Sequence, residues 1–149
     1  MPRFELTVRV KPVPWKAAYT GSRGSFTPGT KANKNAYRDY KETIALAFIA
    51  AHGKPLMKGA VEWRGVYYHK RPNGYKRPAN YPESLPWGKH LKRLPKVSRP
   101  DADNCGKAVR DALEYIAYYN DSQVFDSHDI NLYADFGDEP RIEIIVEEV

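Results

Sequence analysis

The sequence predicts an α+β fold, with a mixed or antiparallel sheet of about four strands and two main helices. Three observations lead there. Residues 3–10 alternate, with Phe4, Leu6, Val8 and Val10 on one side and Arg3, Glu5, Thr7 and Arg9 on the other, the pattern of a half-buried strand. Two stretches, beginning near Lys31 and near Asp103, carry apolar residues at helical spacing instead. Three further short stretches, 60–69, 124–133 and 141–146, read as strands. The resulting order, β-α-β-α-β-β, suits helices packed on a sheet. At 149 residues the chain is expected to form one domain with a sizeable core.

The first strand is stopped by Lys11-Pro-Val-Pro14. Residues 15–30 then read as a loop in which Trp15, Lys16, Tyr19, Arg23, Phe26 and Lys31 stand among Gly, Ser and Thr. Basic residues interleaved with aromatics suit a surface that tracks a nucleic-acid backbone, although the composition fits any exposed loop. A helix is expected over 31–51, with Tyr37, Tyr40, Ile44, Ala47, Phe48 and Ala51 on its apolar face. The two tyrosines read as core. His52-Gly53 ends it, with Pro55 beyond. A second strand spans 60–69, with Gly65 as a candidate bulge.

Residues 70–99 are rich in proline and carry nine Lys+Arg against the single acid Glu83. They hold too little apolar material for a core of their own. Such a stretch is either a long solvated loop or a basic arm that neutralises phosphates. The chain closes with strands at 124–133 and 141–146, turned by Gly137-Asp-Glu-Pro140; His128 lies in the first of these and reads as structural.

The stretch richest in chemistry is Arg99-Pro-Asp-Ala-Asp-Asn-Cys-Gly-Lys107, followed by Asp111 and by Asn120-Asp-Ser-Gln-Val124. Pro100 favours an extended approach at Arg99. In an extended segment Asp101 and Asp103 share a face, roughly 6–7 Å apart at Cα, where two carboxylates repel unless a proton or cation sits between them. A helix then begins, with Asp103 or Asn104 as its cap. Cys105, Val109, Ala112, Leu113 and Ile116 form its apolar stripe, while Asp103, Lys107 and Asp111 lie on another face at i, i+4, i+8. Each acid taken alone reads as a cap or a solvated pair. Asp101, Asp103 and Asp121 together are the oxygen-rich set that Mg²⁺ prefers, with Mn²⁺ as a possible substitute. Asp111 either orients Lys107 or packs at the surface. Asp121 lies beyond the far end of a helix about 15 Å long. Residues 114–120 can bring it back only if that helix is short; otherwise it completes a site across a dimer interface, or none.

These residues resemble the signature of the RusA-like Holliday junction resolvases: Pro-Asp-Ala-Asp-Asn, Lys107, Asp111-Ala-Leu and Asp121-Ser-Gln-Val. Lys11-Pro-Val-Pro14, Phe26-Thr-Pro28, the helix with Tyr37 and Tyr40, His69-Lys-Arg-Pro72 and Glu139-Pro-Arg-Ile-Glu-Ile144 are similar too, so most of the chain is covered. The resemblance implies a homodimer that takes a four-way DNA junction and nicks it at symmetric positions. It implies catalytic roles for Asp101, Asp103, Lys107 and Asp121, with the three aspartates as metal ligands. It places Lys16, Arg23, Lys31, Arg71 and Arg99 toward DNA. Asn120 stands where the family often has a second acid. Asp126 and Asp129 make the following strand more acidic than usual and offer a substitute ligand.

Charge is divided along the chain. Residues 1–100 hold 21 Lys+Arg against 5 Asp+Glu, and residues 101–149 hold 3 against 13. A basic half joined to an acidic half fits a polyanionic partner and a bound cation, unless the two intermix on folding. One cysteine, Cys105, excludes an internal disulfide, suits a reducing compartment and reads as a buried thiol, while the resemblance to the RusA-like family implies a cytoplasmic protein of bacterial, prophage or phage origin. No apolar run is long enough to span a membrane, and no zinc spacing, P-loop or hydrolase elbow is present. The reading is therefore a Mg²⁺-dependent junction-resolving endonuclease. The alternatives are a less specific metal-dependent nuclease and a junction-binding protein without catalysis. The acids argue against the last, because pure DNA binding gains nothing from them.

Overall fold

The computed structural model describes residues 2–15, 30–72, 84, 94–135 and 137–149. Along the chain run β1 (Arg3–Val8), α1 (Thr30–His52), β2 (Val61–His69), β3 (Leu94–Pro95), α2 (Ala102–Leu113), β4 (Val124–Tyr133) and β5 (Arg141–Glu148). The five strands form one mixed sheet in the order β1-β5-β2-β4-β3. Only β2 and β4 pair in parallel; the other neighbours are antiparallel. A parallel pair needs a crossover rather than a hairpin, and α2 lies on that connection.

The α+β architecture is as expected, with one strand more. Leu94–Pro95 pairs with Tyr133 and Leu132 at the end of the basic stretch. Two residues, one of them proline, carry no periodicity from which a strand can be read. Proline is tolerated there because β3 is at the sheet edge. Most of the remaining basic stretch lies outside the described residues, as does most of the loop containing Lys16 and Arg23.

Helix α1 closes at His52, and Gly53 takes the left-handed conformation (φ 71°) that a C-terminal glycine supplies without Cβ strain. Tyr37, Tyr40, Ile44 and Phe48 are buried, whereas Ala51 faces solvent. These four side chains pack with Val61, Trp63 and Tyr67 of β2, Ile142, Ile144 and Val146 of β5, and Cys105, Val109 and Leu113 of α2 in one core. Both helices thus contribute to the core on the side of the sheet where β2 presents its odd-numbered residues. The register shift in the β2–β4 pairing falls between Val61 and Glu62, with the extra residue, Phe125, on β4, and not at Gly65. Gly65 has another use, described below.

Candidate active site

The N-terminus of α2 differs in detail from its expected form. The helix begins at Ala102, and Asp101 is its N-cap, its carboxylate accepting from the Asn104 N–H at 2.9 Å. The approach is not the extended one expected at Arg99: the chain bends through residues 98–100, with a cis Arg99–Pro100 bond, and Asp101 is the extended residue that caps the helix, two residues earlier than Asp103. The two carboxylates line different cavities. Asp101 lines two smaller cavities, of about 330 and 430 Å³, beside Arg99, Lys96 and Asn104. Asp103 lies one helical position into α2 and lines the main cavity.

That cavity is open, of about 530 Å³, and is lined by Ala102, Asp103, Lys107, Arg110, Asp121, Val124, Ser127 and Asp129. Asp103, Lys107 and Arg110 recur at helical spacing along one face of α2. The Asp103 carboxylate lies between two cations, 3.4 Å from Lys107 Nζ and 3.6 Å from Arg110 Nη2. Lys107 Nζ also stands 5.4 Å from the centre of the Trp15 ring, whose backbone N–H donates to Asn104 O at 3.1 Å.

Asp121 reaches this cavity within the same chain. Helix α2 stops at Leu113, Glu114 turns extended, and Tyr115 adopts a positive φ of 63° that reverses the path. Tyr118 then bridges back to Glu114 and to Met57. Asn120 caps a short 3-10 turn, Asp121–Gln123, by accepting from Ser122 N–H, while the Gln123 side chain accepts from Asn120 N–H and donates to Met57 O and Gly59 O. Asn120, which stands where the family often carries an acid, is here a cap for the turn that carries Asp121.

The floor of the cavity is a buried polar network. Gly65 of β2 and Asp129 of β4 are direct register partners. Asp129, its side chain only 9% exposed, accepts from Tyr67 OH at 2.6 Å, Trp63 Nε1 at 3.0 Å, Ser127 Oγ at 3.1 Å and Arg110 Nη1 at 3.0 and 3.2 Å. Two glycines make room for this. A Cβ at Gly65 would collide with the Tyr67 hydroxyl, and one at Gly106 of α2 with the Asp129 carboxylate. Burial, and then the adjacent Asp129 charge, raise the Tyr67 phenol well above its usual range, so it remains a proton donor to that carboxylate.

The other sequence-selected residues are placed as follows. Arg99 is in the described surface beside Asp101. Arg71 is buried: its Nε donates to Ala134 O at 3.1 Å and its Nη2 lies 3.6 Å from Asp135, so it points into the fold rather than toward a phosphate. Lys31 belongs to α1, but its side chain, like Lys16 and Arg23, lies outside the described residues. Asp111 neither orients Lys107 nor stays at the surface; it accepts from Tyr37 OH at 2.9 Å and pairs with Lys41 at 3.2 Å, joining α2 to α1. Asp126 pairs with His128 on the exposed part of β4, 2.9 Å apart. Cys105 is buried, and burial pushes its thiol up to about 12, so it is no nucleophile.

Arg110, Ser127, Gly65 and Gly106 were not singled out as site residues by the sequence reading. A glycine in a helix interior, which is less favourable than alanine by about 1 kcal/mol, is the one local signal that pointed to them.

The donor set of the cavity suits a divalent cation. Asp103 and Asp121 are exposed hard-oxygen groups on one open space, and Mg²⁺ is commonly held by one or two carboxylates with waters and substrate phosphates. Among the described residues no three His, Cys, Asp or Glu side chains stand close enough to hold an ion by themselves. Asp129 is not a substitute ligand in this arrangement, because its lone pairs are occupied by the surrounding donors. No helix among the described residues is long and apolar enough to cross a membrane.

An uncharacterised protein of Bacillus subtilis (strain 168), YqaN, is 29% identical over 110 residues, covering 74% of this chain and 72% of the relative. The family model for Endodeoxyribonuclease RusA matches residues 10–147, a span that includes α2, the Asp121 turn and the whole cavity between them. With nearly its full length matched, the chain belongs to the RusA endodeoxyribonuclease family.

Proposed function

We propose that this protein is a divalent-metal-dependent endonuclease that resolves four-way DNA junctions by paired, symmetric nicks. The observation that carries the reading is the convergence of Asp103, Asp121 and Lys107 on one open cavity. Membership of a nuclease family supports it.

In this reading Asp103 and Asp121 hold the cation, with Asp101 near the rim of the same helix end. When bound, Mg²⁺ lowers the pKa of a coordinated water and neutralises phosphate charge. Lys107, held by Asp103 until DNA enters, turns its ammonium to the scissile phosphate and stabilises the charge that grows on its oxygens. Water oxygen joins phosphorus, its proton leaves to solvent, and the bond to the 3′-oxygen breaks; that oxygen takes up a proton. The products are a 5′-phosphate and a 3′-hydroxyl. Two copies related by a two-fold axis would present two equal cavities to the symmetry-related strands of a junction. Phosphate contacts dominate such binding, so affinity should fall steeply with salt.

The test is cleavage of a labelled synthetic four-way junction beside a linear duplex of the same sequence, each with Mg²⁺ and with EDTA. Metal-dependent paired nicks in the junction alone are expected. Equal cutting of the duplex would favour a less specific nuclease, and junction binding without cutting a non-catalytic binding protein. Asp103→Asn should abolish cleavage while junction binding in EDTA persists; parallel loss of both would count against Asp103 as a metal ligand.

A further inference from the structure

The hydrolysis described above gives no part to the paired Arg110 and Asp129 that also line the cavity. Arg110 rises from the last turn of α2 with its side chain only 10% exposed. One edge of its guanidinium is fixed: Nη1 donates to Asp129 at 3.0 Å and to Ser127 Oγ at 2.9 Å. The Trp63 ring centre lies 5.5 Å away. The other edge faces the cavity, with Nη2 3.6 Å from the Asp103 carboxylate.

As a stabiliser of the fold this is a poor choice. A buried ion pair gives little stability relative to apolar side chains of similar volume. This pair also requires a glycine in the interior of α2, at a cost of about 1 kcal/mol in helix propensity. As an anion clamp it is well built. A guanidinium oriented in advance needs no reorganisation when charge develops in front of it, and its planar fork matches phosphate oxygens.

We propose that Arg110 is a catalytic residue that contacts the scissile phosphate, with Asp129 and Ser127 as its positioning residues. The proposal rests on the nuclease reading of the cavity. In the free protein the open Nη2 edge is paired with Asp103; a DNA phosphate entering the cavity offers that edge an equivalent acceptor. Lys107 supplies a mobile point charge, Arg110 a fixed one beside it.

The experiment compares wild type, Arg110→Met, Arg110→Lys, Asp129→Asn and the Arg110→Met/Asp129→Asn double variant of the full chain. For each, steady-state junction cleavage with Mg²⁺, junction binding in EDTA and thermal melting are measured. Arg110→Met should lose about 100- to 1000-fold in kcat. Its KM and its junction affinity in EDTA should stay within about threefold, because the contact matters most in the transition state. Arg110→Lys should recover about tenfold of the loss, since it restores charge without the fork. Asp129→Asn keeps an acceptor for Tyr67 and Trp63 but loosens Arg110. It should lower kcat about tenfold, and the double variant should be no worse than Arg110→Met, because Asp129 acts through Arg110.

A kcat near wild type in Arg110→Met overturns the proposal. So does a pattern in which melting temperature, junction binding and activity fall together and Arg110→Lys restores nothing, the signature of a merely structural pair. A wild type that cuts neither junction nor duplex with Mg²⁺ or Mn²⁺ instead defeats the nuclease reading, and this proposal with it.

Discussion

Gly106 is where the site and the fold compete, and Gly106→Ala measures the competition. In an isolated helix the change should stabilise by about 1 kcal/mol. Here the new methyl would enter the space of the Asp129 carboxylate. That carboxylate is short, nearly buried and gripped by Tyr67, Trp63, Ser127 and Arg110, so it cannot swing aside as a long surface side chain would. Overpacking of this kind costs about 1–3 kcal/mol. Loss of a hydrogen bond to a charged group adds about 1.5–3 kcal/mol. Subtracting the propensity gain leaves a net destabilisation of about 1.5–5 kcal/mol. For a chain of this length the melting temperature should fall by roughly 5–15 °C. The assay is thermal or urea unfolding of Gly106→Ala in the wild-type and Asp129→Ala backgrounds. In Asp129→Ala the obstruction is gone, so the same alanine should be neutral or stabilising, and the two changes should be strongly non-additive. A Gly106→Ala protein as stable as wild type, or equal effects in both backgrounds, would refute the claim that this glycine exists to admit Asp129.

Three further outcomes are expected. His69 is buried between Asn131 and Cys105, and burial lowers it from 6.5 to about 4. A depressed imidazole adds nothing to the pH dependence above 6.5 and penalises the folded state as pH falls toward 4, on the order of 2 kcal/mol by pH 4.5. Urea unfolding at pH 7 and 4.5 should show that His69→Gln loses less stability on acidification than wild type. Asp111→Ala should lower stability by about 1–3 kcal/mol through the lost Tyr37 and Lys41 contacts between the helices, leaving kcat per folded molecule unchanged. Asp101→Ala should cost about 1 kcal/mol as a lost cap, whereas Asp101→Asn, an equally good cap, should melt like wild type; if Asp101→Asn nonetheless fails to cleave the junction, its carboxylate has a role in the chemistry beyond capping.

The long elements are legible because each carries a local pattern: alternation in β1 and β5, helical spacing in α1 and α2, and β-branched and aromatic residues in β2 and at the two ends of β4. The short strand β3 is not, because its two residues owe their conformation to the partners Leu132 and Tyr133 rather than to any local pattern. A bulge is expected at Gly65 from sequence because an isolated strand glycine often marks one. Here the glycine instead yields space to the Tyr67 hydroxyl, a contact within the same strand that shows only when the side chains are laid on the sheet.

The candidate site was legible in its acids and illegible in its floor, for a physical reason. Asp103, Lys107 and Asp121 lie in a local motif, and helix geometry alone joins the first two on one face. Asp129 and Arg110 meet only because β4 returns parallel to β2 after the α2 crossover, which sets Gly65 beside Asp129 and brings Gly106 over it. Asp101 shows the same limit from the other side. Spacing gave it and Asp103 one face of an extended segment, yet the helix starts between them and turns one into a cap and the other into a cavity wall. Two residues apart in an extended chain means a shared face; two apart across a helix start does not. The position of the first helical turn, and not the count of carboxylates, therefore decides which of the motif's aspartates stands in the cavity with Asp121.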